Sequence, residues 1–67
     1  MINITVNGKS RSLPEQMTVQ HFLETLGINA LAVAVELRGD VLTRDRFSSE
    51  TICDGDVLEV VRMMGGG

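Results

Sequence analysis

The sequence has few of the residues on which several classes of protein depend. It contains one cysteine (Cys53), no tryptophan or tyrosine, and two phenylalanines. A single cysteine cannot form an intramolecular disulfide, so the sequence predicts a protein of the reducing cytoplasm. Two phenylalanines offer little surface for stacking nucleic-acid bases, and a net charge of −3 disfavours binding to a phosphate backbone. A protein or small-molecule partner is therefore expected, rather than a nucleic acid.

The chain also lacks long apolar runs and a basic leader. No stretch has the roughly 20 apolar residues that span a membrane, and residues 1–6 show none of the features of a signal peptide. Lys9 is the only lysine. A ubiquitin-type modifier forms polymers through its lysine side chains. A chain with one lysine offers almost no such sites, which disfavours this class of protein.

Clustered catalytic or metal-binding residues are absent from the sequence as well. His21 has no second histidine or cysteine at ligand spacing, and Cys53 has no basic neighbour to activate its thiol. Asp54-Gly55-Asp56 lacks the alternating ligands of a calcium loop and is predicted to be a tight turn. We therefore predict no catalytic residues, no metal site and no enzyme activity of the chain's own.

What the sequence does contain is a strand pattern at its beginning. Sixty-seven residues with 43% hydrophobic side chains are enough for one small domain. Residues 2–6 alternate apolar and polar side chains, which indicates a strand with one buried face. Asn7-Gly8 is the strongest short signal for a two-residue hairpin turn. Residues 9–13 are mostly polar and are followed by Pro14, so they are predicted to return as an edge strand.

An amphipathic helix is predicted next. Thr18 is placed to cap its N-terminus, and Gly27 to end it in the left-handed conformation. The residues between them have the i, i+3, i+4, i+7 spacing of one apolar stripe: Val19, Phe22, Leu23 and Leu26.

Two further strands and a short one follow the helix. Residues 31–37 alternate in a way that predicts a core strand, and residues 57–63 predict the last strand. Between them we predict a short strand at residues 41–42 and a loop or single helical turn at residues 43–50, with Phe47 beneath it. The predicted fold class is α+β, a roll in which one helix packs across a mixed sheet of four to five strands.

The last residues, Gly65-Gly66-Gly67, cannot stabilise a folded element, because glycine loses the most backbone entropy on ordering. We predict a folded domain at residues 1–63 and a flexible glycine tail at residues 64–67. Such a tail is thin enough to thread a narrow channel, and it delivers the α-carboxylate of Gly67.

Taken together, these segments resemble the ThiS family of small sulfur carriers in the ubiquitin-like β-grasp superfamily. The resemblance rests on residues 1–8 (MINITVNG), residues 18–27, residues 32–36 (AVAVE), residues 54–61 and the terminal Gly66-Gly67. Thr43 and Arg38-Gly39 depart from the family's usual loop residues. Both departures lie in loops.

The resemblance implies a carrier that is a substrate of other enzymes. An E1-like adenylating enzyme of the ThiF type would use ATP to activate the carboxylate of Gly67, and a sulfur donor such as a cysteine desulfurase would convert it to a thiocarboxylate. The sulfur would pass to a thiazole synthase of the ThiG type for thiamine biosynthesis. The carrier itself would bind no cofactor or membrane and would be a monomer when free.

The resemblance also suggests roles for individual residues. Gly65 and Gly66 would thread the partner's channel, and an exposed apolar surface would dock the carrier. The residues predicted for docking are Val57, Val61, Met63, Met64, Ala32 and Ala34.

Three alternatives remain open at this point. One is another thiocarboxylate carrier that supplies sulfur for cysteine or a different product. A MoaD-like small subunit of molybdopterin synthase uses the same terminal thiocarboxylate but passes sulfur to a pterin. A non-covalent β-grasp interaction module would need neither Gly66 nor Gly67.

Overall fold

A computed structural model describes residues 1–63 of the chain. One α-helix packs across a five-stranded mixed sheet, as predicted, and a two-stranded ladder lies beside them. In chain order the elements are β1 (Ile2–Val6), β2 (Lys9–Leu13), β3 (Met17–Thr18), α1 (Val19–Thr25), a 3₁₀ turn (Ala30–Ala32), β4 (Val33–Leu37), β5 (Asp40–Leu42), a second 3₁₀ turn (Arg44–Arg46), β6 (Thr51–Ile52) and β7 (Val57–Arg62).

The last strand of the chain is the central strand of the sheet. The strand order is β2-β1-β7-β4-β5, and β7 runs parallel to β1 and antiparallel to β4. β2 lies at one edge of the sheet, as its polar sequence predicted. The prediction of a last strand near residues 57–63 is also confirmed.

Both tight hairpin turns use residues with positive φ. Asn7 and Gly8 have φ values of 52° and 81°, and Arg38 and Gly39 have φ values of 54° and 86°. These values match the two-residue turn whose twist suits antiparallel strands. The turn predicted at Asn7-Gly8 is therefore confirmed.

The helix begins and ends where its capping residues predicted. The Oγ1 atom of Thr18 accepts a hydrogen bond from the His21 amide at 3.1 Å. At the other end Gly27 has a φ of 70°, and the Ile28 amide donates to the Leu23 carbonyl at 2.9 Å. This 6→1 bond is the signature of a Schellman motif, which satisfies a carbonyl group left free at the helix end.

The loop predicted at residues 43–50 is fastened to the start of the helix. The Val19 amide donates to the Glu50 carbonyl at 3.0 Å, and the Gln20 amide donates to the Phe47 carbonyl at 2.9 Å. These are two of the amide groups that a helix N-terminus leaves without a partner inside the helix. Phe47 lies beneath the loop and is 2% exposed, as predicted.

Two strand boundaries differ from the prediction. The short strand predicted at residues 41–42 begins at Asp40. We predicted a strand from residue 31 to residue 37, but β4 begins at Val33. The Oδ1 atom of Asn29 accepts a hydrogen bond from the Leu31 amide at 2.9 Å, and the chain makes a 3₁₀ turn before it enters the sheet. Asparagine side chains commonly cap such turns and compete with extended structure.

The core lies between α1 and the sheet. Its centre consists of Phe22 and Leu23 of the helix with Val35 and Leu58 of the sheet, each no more than 1% exposed. Among residues 1–63, no helix is both long enough and apolar enough to cross a membrane.

Asp56 is the one buried polar or charged residue in the described part of the chain, at 8% exposed. Its carboxylate accepts hydrogen bonds from the Cys53 amide at 2.8 Å and from the guanidinium of Arg38 at 3.3 Å. Asp56→Ala leaves the Cys53 amide without its partner, so we expect the free energy of unfolding to fall by about 1–3 kcal/mol. Urea denaturation measures this change.

Asp45→Ala is the control for that substitution. Asp45 is exposed, and its side chain makes no hydrogen bond within residues 1–63. We expect its removal to change the stability by less than about 0.5 kcal/mol. Equal effects of the two substitutions would contradict a structural role for the Asp56 carboxylate.

Candidate functional site

β7 leads directly into the glycine tail, and neighbouring strands hold it on both sides. Residues 58–62 pair with residues 37–33 of β4, and residues 57–58 pair with residues 5–6 of β1. The Met63 amide donates to the Ala32 carbonyl at 2.8 Å, so the backbone is held as far as Met63. The predicted docking residue Met64, the threading residues Gly65 and Gly66, and the modified residue Gly67 lie outside the described residues.

Asn7 also positions β7, a role that the sequence did not reveal. Its Nδ2 atom donates to the Val60 carbonyl at 3.1 Å, and its Oδ1 atom accepts from the Val60 amide at 2.8 Å. The side-chain amide therefore bonds to β7 as a strand backbone would, and it extends the pairing between β1 and β7. No local signal could have shown this, because the two residues are 53 positions apart in the chain.

The face of the sheet turned away from α1 carries the predicted docking residues, and we call it the open face. Val57 is 51% exposed, Val61 is 58% exposed and Met63 is 44% exposed. Ala34 is exposed, whereas Ala32 lies in the 3₁₀ turn before β4 and is half-buried. Several large apolar side chains in contact with water on one face of a small domain are typical of an interaction surface.

The apolar side chains of the open face are not evenly spread. Val61 lies opposite Ala34 in the pairing of β7 with β4, and Met63 is two residues closer to the tail. We call Val61, Met63 and Ala34 the tail-proximal patch. Val57 is separated from this patch by Glu59 on the same strand. The patch next to the tail is therefore the most concentrated part of the predicted docking surface.

A pair of like charges borders the tail-proximal patch. Glu59 of β7 lies directly opposite Glu36 of β4 in the antiparallel pairing. Two negative charges in this arrangement lower the stability of a sheet. Neither carboxylate makes an ion pair with a residue of the described range 1–63.

We therefore expect Glu36→Gln to raise the free energy of unfolding by about 0.2–1 kcal/mol at low ionic strength, because it removes the repulsion and keeps the shape of the side chain. The increase should shrink when salt is added, since salt screens exposed charges. Urea denaturation at two salt concentrations measures both effects. Glu15→Gln, at an exposed position outside the sheet, is the control. A stability that is unchanged or lower at both salt concentrations would contradict the repulsion.

The structure does not bring the other polar candidates together into a reactive site. His21 is exposed on α1, with its Nδ1 atom 3.9 Å from a carboxylate oxygen of Glu24. Cys53 is half-buried, and its Sγ atom lies 3.9 Å from the Thr51 carbonyl. Residues 1–63 contain no group of three side chains placed to hold a metal ion.

Comparison with known proteins places this geometry in a family. A family model described as "ThiS family" matches residues 4–67. The sulfur carrier protein ThiS of Thermus thermophilus is 36% identical, with 96% of this chain and 98% of that protein covered. A thiazole synthase of Paramagnetospirillum magneticum is 33% identical over 98% of this chain, which spans only 20% of that protein's length.

A solved structure agrees with the fold as well. The crystal structure of the thiamine biosynthesis protein ThiS of Geobacter metallireducens has a TM-score of 0.86 and 42% identity, and the match covers 98% of this chain and 100% of that one. The predicted β-grasp fold is confirmed by this similarity. The chain therefore belongs to the ThiS family of ubiquitin-like sulfur carriers.

Proposed function

We propose that this chain carries sulfur for thiamine biosynthesis as a thiocarboxylate on Gly67. In the first step an oxygen of the Gly67 carboxylate attacks the α-phosphate of ATP and releases pyrophosphate. The terminal sulfur of the donor's persulfide then attacks the acyl carbon of the adenylate and displaces AMP. A thiol cleaves the S–S bond of the resulting acyl disulfide, which leaves the thiocarboxylate on Gly67 and a disulfide on the donor. The observation that carries the proposal is the family match over residues 4–67, which includes the glycine tail.

The chemistry explains why the carrier needs no catalytic side chains of its own. A carboxylate is a poor electrophile until one of its oxygens becomes a good leaving group. The catalytic positioning for that step belongs to the partner, which also binds ATP, and the carrier acts as a substrate rather than as an enzyme. The partners that this chemistry requires are an E1-like adenylating enzyme of the ThiF type and a sulfur donor such as a cysteine desulfurase.

Docking of the domain would guide the tail into the partner's active site. Because the backbone is hydrogen-bonded as far as Met63, one residue past β7, a protein that binds the tail-proximal patch holds the start of the tail at a fixed place. Gly65 and Gly66 would then cross the channel, and Val57 and Ala32 would lie at the margin of the contact. Small and flexible apolar side chains suit a surface that serves two successive partners.

The thiazole synthase is the proposed acceptor of the sulfur. The relatives named for thiazole synthase and for thiamine biosynthesis support this choice over a pterin acceptor. A chain loaded with sulfur should lose it in the presence of a thiazole synthase and the other substrates of that enzyme. A chain that keeps its sulfur there, but loses it to a pterin in the presence of the large subunit of molybdopterin synthase, would instead have the MoaD-like function.

Pyrophosphate exchange tests the first chemical step. A chain that ends at Gly67 is mixed with a ThiF-type enzyme, ATP and labelled pyrophosphate. We expect label to enter ATP only when the chain is present, because reversal of adenylation requires the acyl-adenylate. The control is the same chain with an amide in place of the terminal carboxylate, which should give no exchange. Exchange that does not depend on the chain would contradict the proposal.

A further inference from the structure

A second surface of the chain lies on the other side of the sheet from the tail-proximal patch. It is a cavity of about 380 Å³, and three cationic side chains, Lys9, Arg11 and Arg62, line it together with apolar side chains such as Leu26 and Val60. No aspartate or glutamate contributes to its lining. We call this cavity the basic pocket.

The pocket exists because the helix is shorter than the sheet it covers. α1 has seven residues, a length of about 10 Å, and it ends at Thr25. Lys9 pairs with Val6 and Arg11 pairs with Ile4 across the β1–β2 hairpin, so these cations share the face of the sheet that α1 covers. The guanidinium carbon of Arg11 lies 6.0 Å from the centre of the Phe22 ring. Beyond the end of the helix, this face remains open to a partner.

The basic pocket is positively charged, although the chain as a whole is negatively charged. The net charge is −3, yet the pocket gathers three of the six lysines and arginines. Within residues 1–63 these three cations have no carboxylate partner, whereas Arg38 and Arg46 are ion-paired. Protection of an exposed edge from pairing with other strands accounts for a lysine on β2. It does not account for Arg62, which lies on the central strand.

We propose that the basic pocket docks a segment of the thiazole synthase that presents carboxylates beside an apolar side chain. The carboxylates would pair with Lys9, Arg11 and Arg62, and the apolar side chain would contact Leu26 and Val60. This inference rests on the proposed function. It adds a second docking surface to the tail-proximal patch and assigns that surface to one of the two enzymes.

Two arguments favour the thiazole synthase over the adenylating enzyme. An enzyme that holds the triphosphate of ATP needs positive charge around its active site, and that charge would repel the basic pocket. A thiazole synthase relative also contains a segment that matches this chain, and this segment is a fifth of the relative's length. That similarity supports a thiazole synthase as the partner.

Arg62 is five residues before Gly67, a distance of at most about 18 Å along an extended chain. Either enzyme that acts on Gly67 is therefore within reach of the pocket, and the choice between them rests on the charge argument and the relative.

The test compares two double variants with the same change in net charge. Lys9→Gln/Arg11→Gln removes two cations from the pocket, and Arg44→Gln/Arg46→Gln removes two cations that do not line it. Isothermal titration of a ThiG-type thiazole synthase with each chain gives the affinity. We expect the pocket variant to bind about tenfold more weakly than the unaltered chain, since buried charge pairs at interfaces contribute on this scale. The control should change the affinity by less than about twofold.

Two further measurements make the outcome decisive. Thermal unfolding should show that the pocket variant remains folded, because both substituted side chains are exposed. Pyrophosphate exchange with the adenylating enzyme should be unchanged in the pocket variant. Unchanged affinity for the thiazole synthase, or an equal loss in the control variant, would overturn the inference and leave the proposed function intact. Loss of exchange in the pocket variant alone would assign the pocket to the adenylating enzyme and also overturn it.

Discussion

A chain that lacks Gly67 is expected to keep its fold and to lose the ability to accept sulfur. Removing one residue moves the terminal carboxylate back by about 3.5 Å along an extended tail. The reacting atoms of an adenylation must approach within about 3.5 Å, and a misplacement of only 1 Å can cost about a hundredfold in rate. We therefore expect adenylation to fall by more than about a hundredfold, measured as chain-dependent pyrophosphate exchange.

The folded domain provides the control for this deletion. Residues 1–63 contain the whole of the described sheet and helix, so the temperature of unfolding should not change. A chain extended by one residue after Gly67 should fail in the same way as the shortened one, because its carboxylate also lies in the wrong place. Exchange that persists in the shortened chain would show that the position of the carboxylate does not matter. No exchange with the full chain would instead favour the non-covalent interaction module.

Val61→Asp is expected to weaken binding to the adenylating enzyme by about 30-fold or more. Val61 lies in the tail-proximal patch, 58% exposed and opposite Ala34. An aspartate at this place would have to lose its water in the complex without gaining a partner, and such a substitution at the centre of an interface costs about 2 kcal/mol or more. The rate of exchange at low carrier concentration should fall accordingly, and saturating carrier should restore it in part.

Val41→Asp is the matched control for this substitution. Val41 is 69% exposed on the edge strand β5, and it pairs with Glu36 rather than with a residue of the tail-proximal patch. The same chemical change at that position should leave exchange within about threefold of the unaltered chain. An equal loss in both variants would mean that added negative charge, rather than the position of Val61, governs binding.

The parts of the fold that could be predicted are those with local signals. Asn7-Gly8 specifies a hairpin turn through the φ values it accepts, and Thr18 with Gly27 specifies both ends of the helix. The alternation in residues 57–63 identified the face of β7 that contacts the helix and the face that remains open. In each case the interacting groups are close in sequence, or the period of the pattern determines the face.

The features that could not be predicted depend on groups far apart in the chain. The two-stranded ladder of β3 and β6 has two residues in each strand, too few to show a period. The bonds from Asn7 to Val60 and the pairing of Glu36 with Glu59 depend on the strand order and register, which no local pattern determines.

The candidate site also has one part that the sequence predicted and one part that it did not. Val57, Val61 and Ala34 are exposed on the open face, as their alternation predicted, although their role in docking remains a prediction. The basic pocket had no signal in the sequence. It arises only when Arg62 and the hairpin residues Lys9 and Arg11 meet beyond the end of a short helix. A count of charges shows how many cations there are, but it does not show that half of them share one cavity.

Intact mass spectrometry tests the central claim most directly. A chain that ends at Gly67 is incubated with a ThiF-type enzyme, ATP and a sulfur donor, and its mass is compared with that of the untreated chain. We predict a gain equal to the replacement of one oxygen by sulfur, and we predict that a chain without Gly67 shows no such gain. An unchanged mass for the full chain, under conditions in which the same enzyme loads another ThiS-family carrier, would contradict the account.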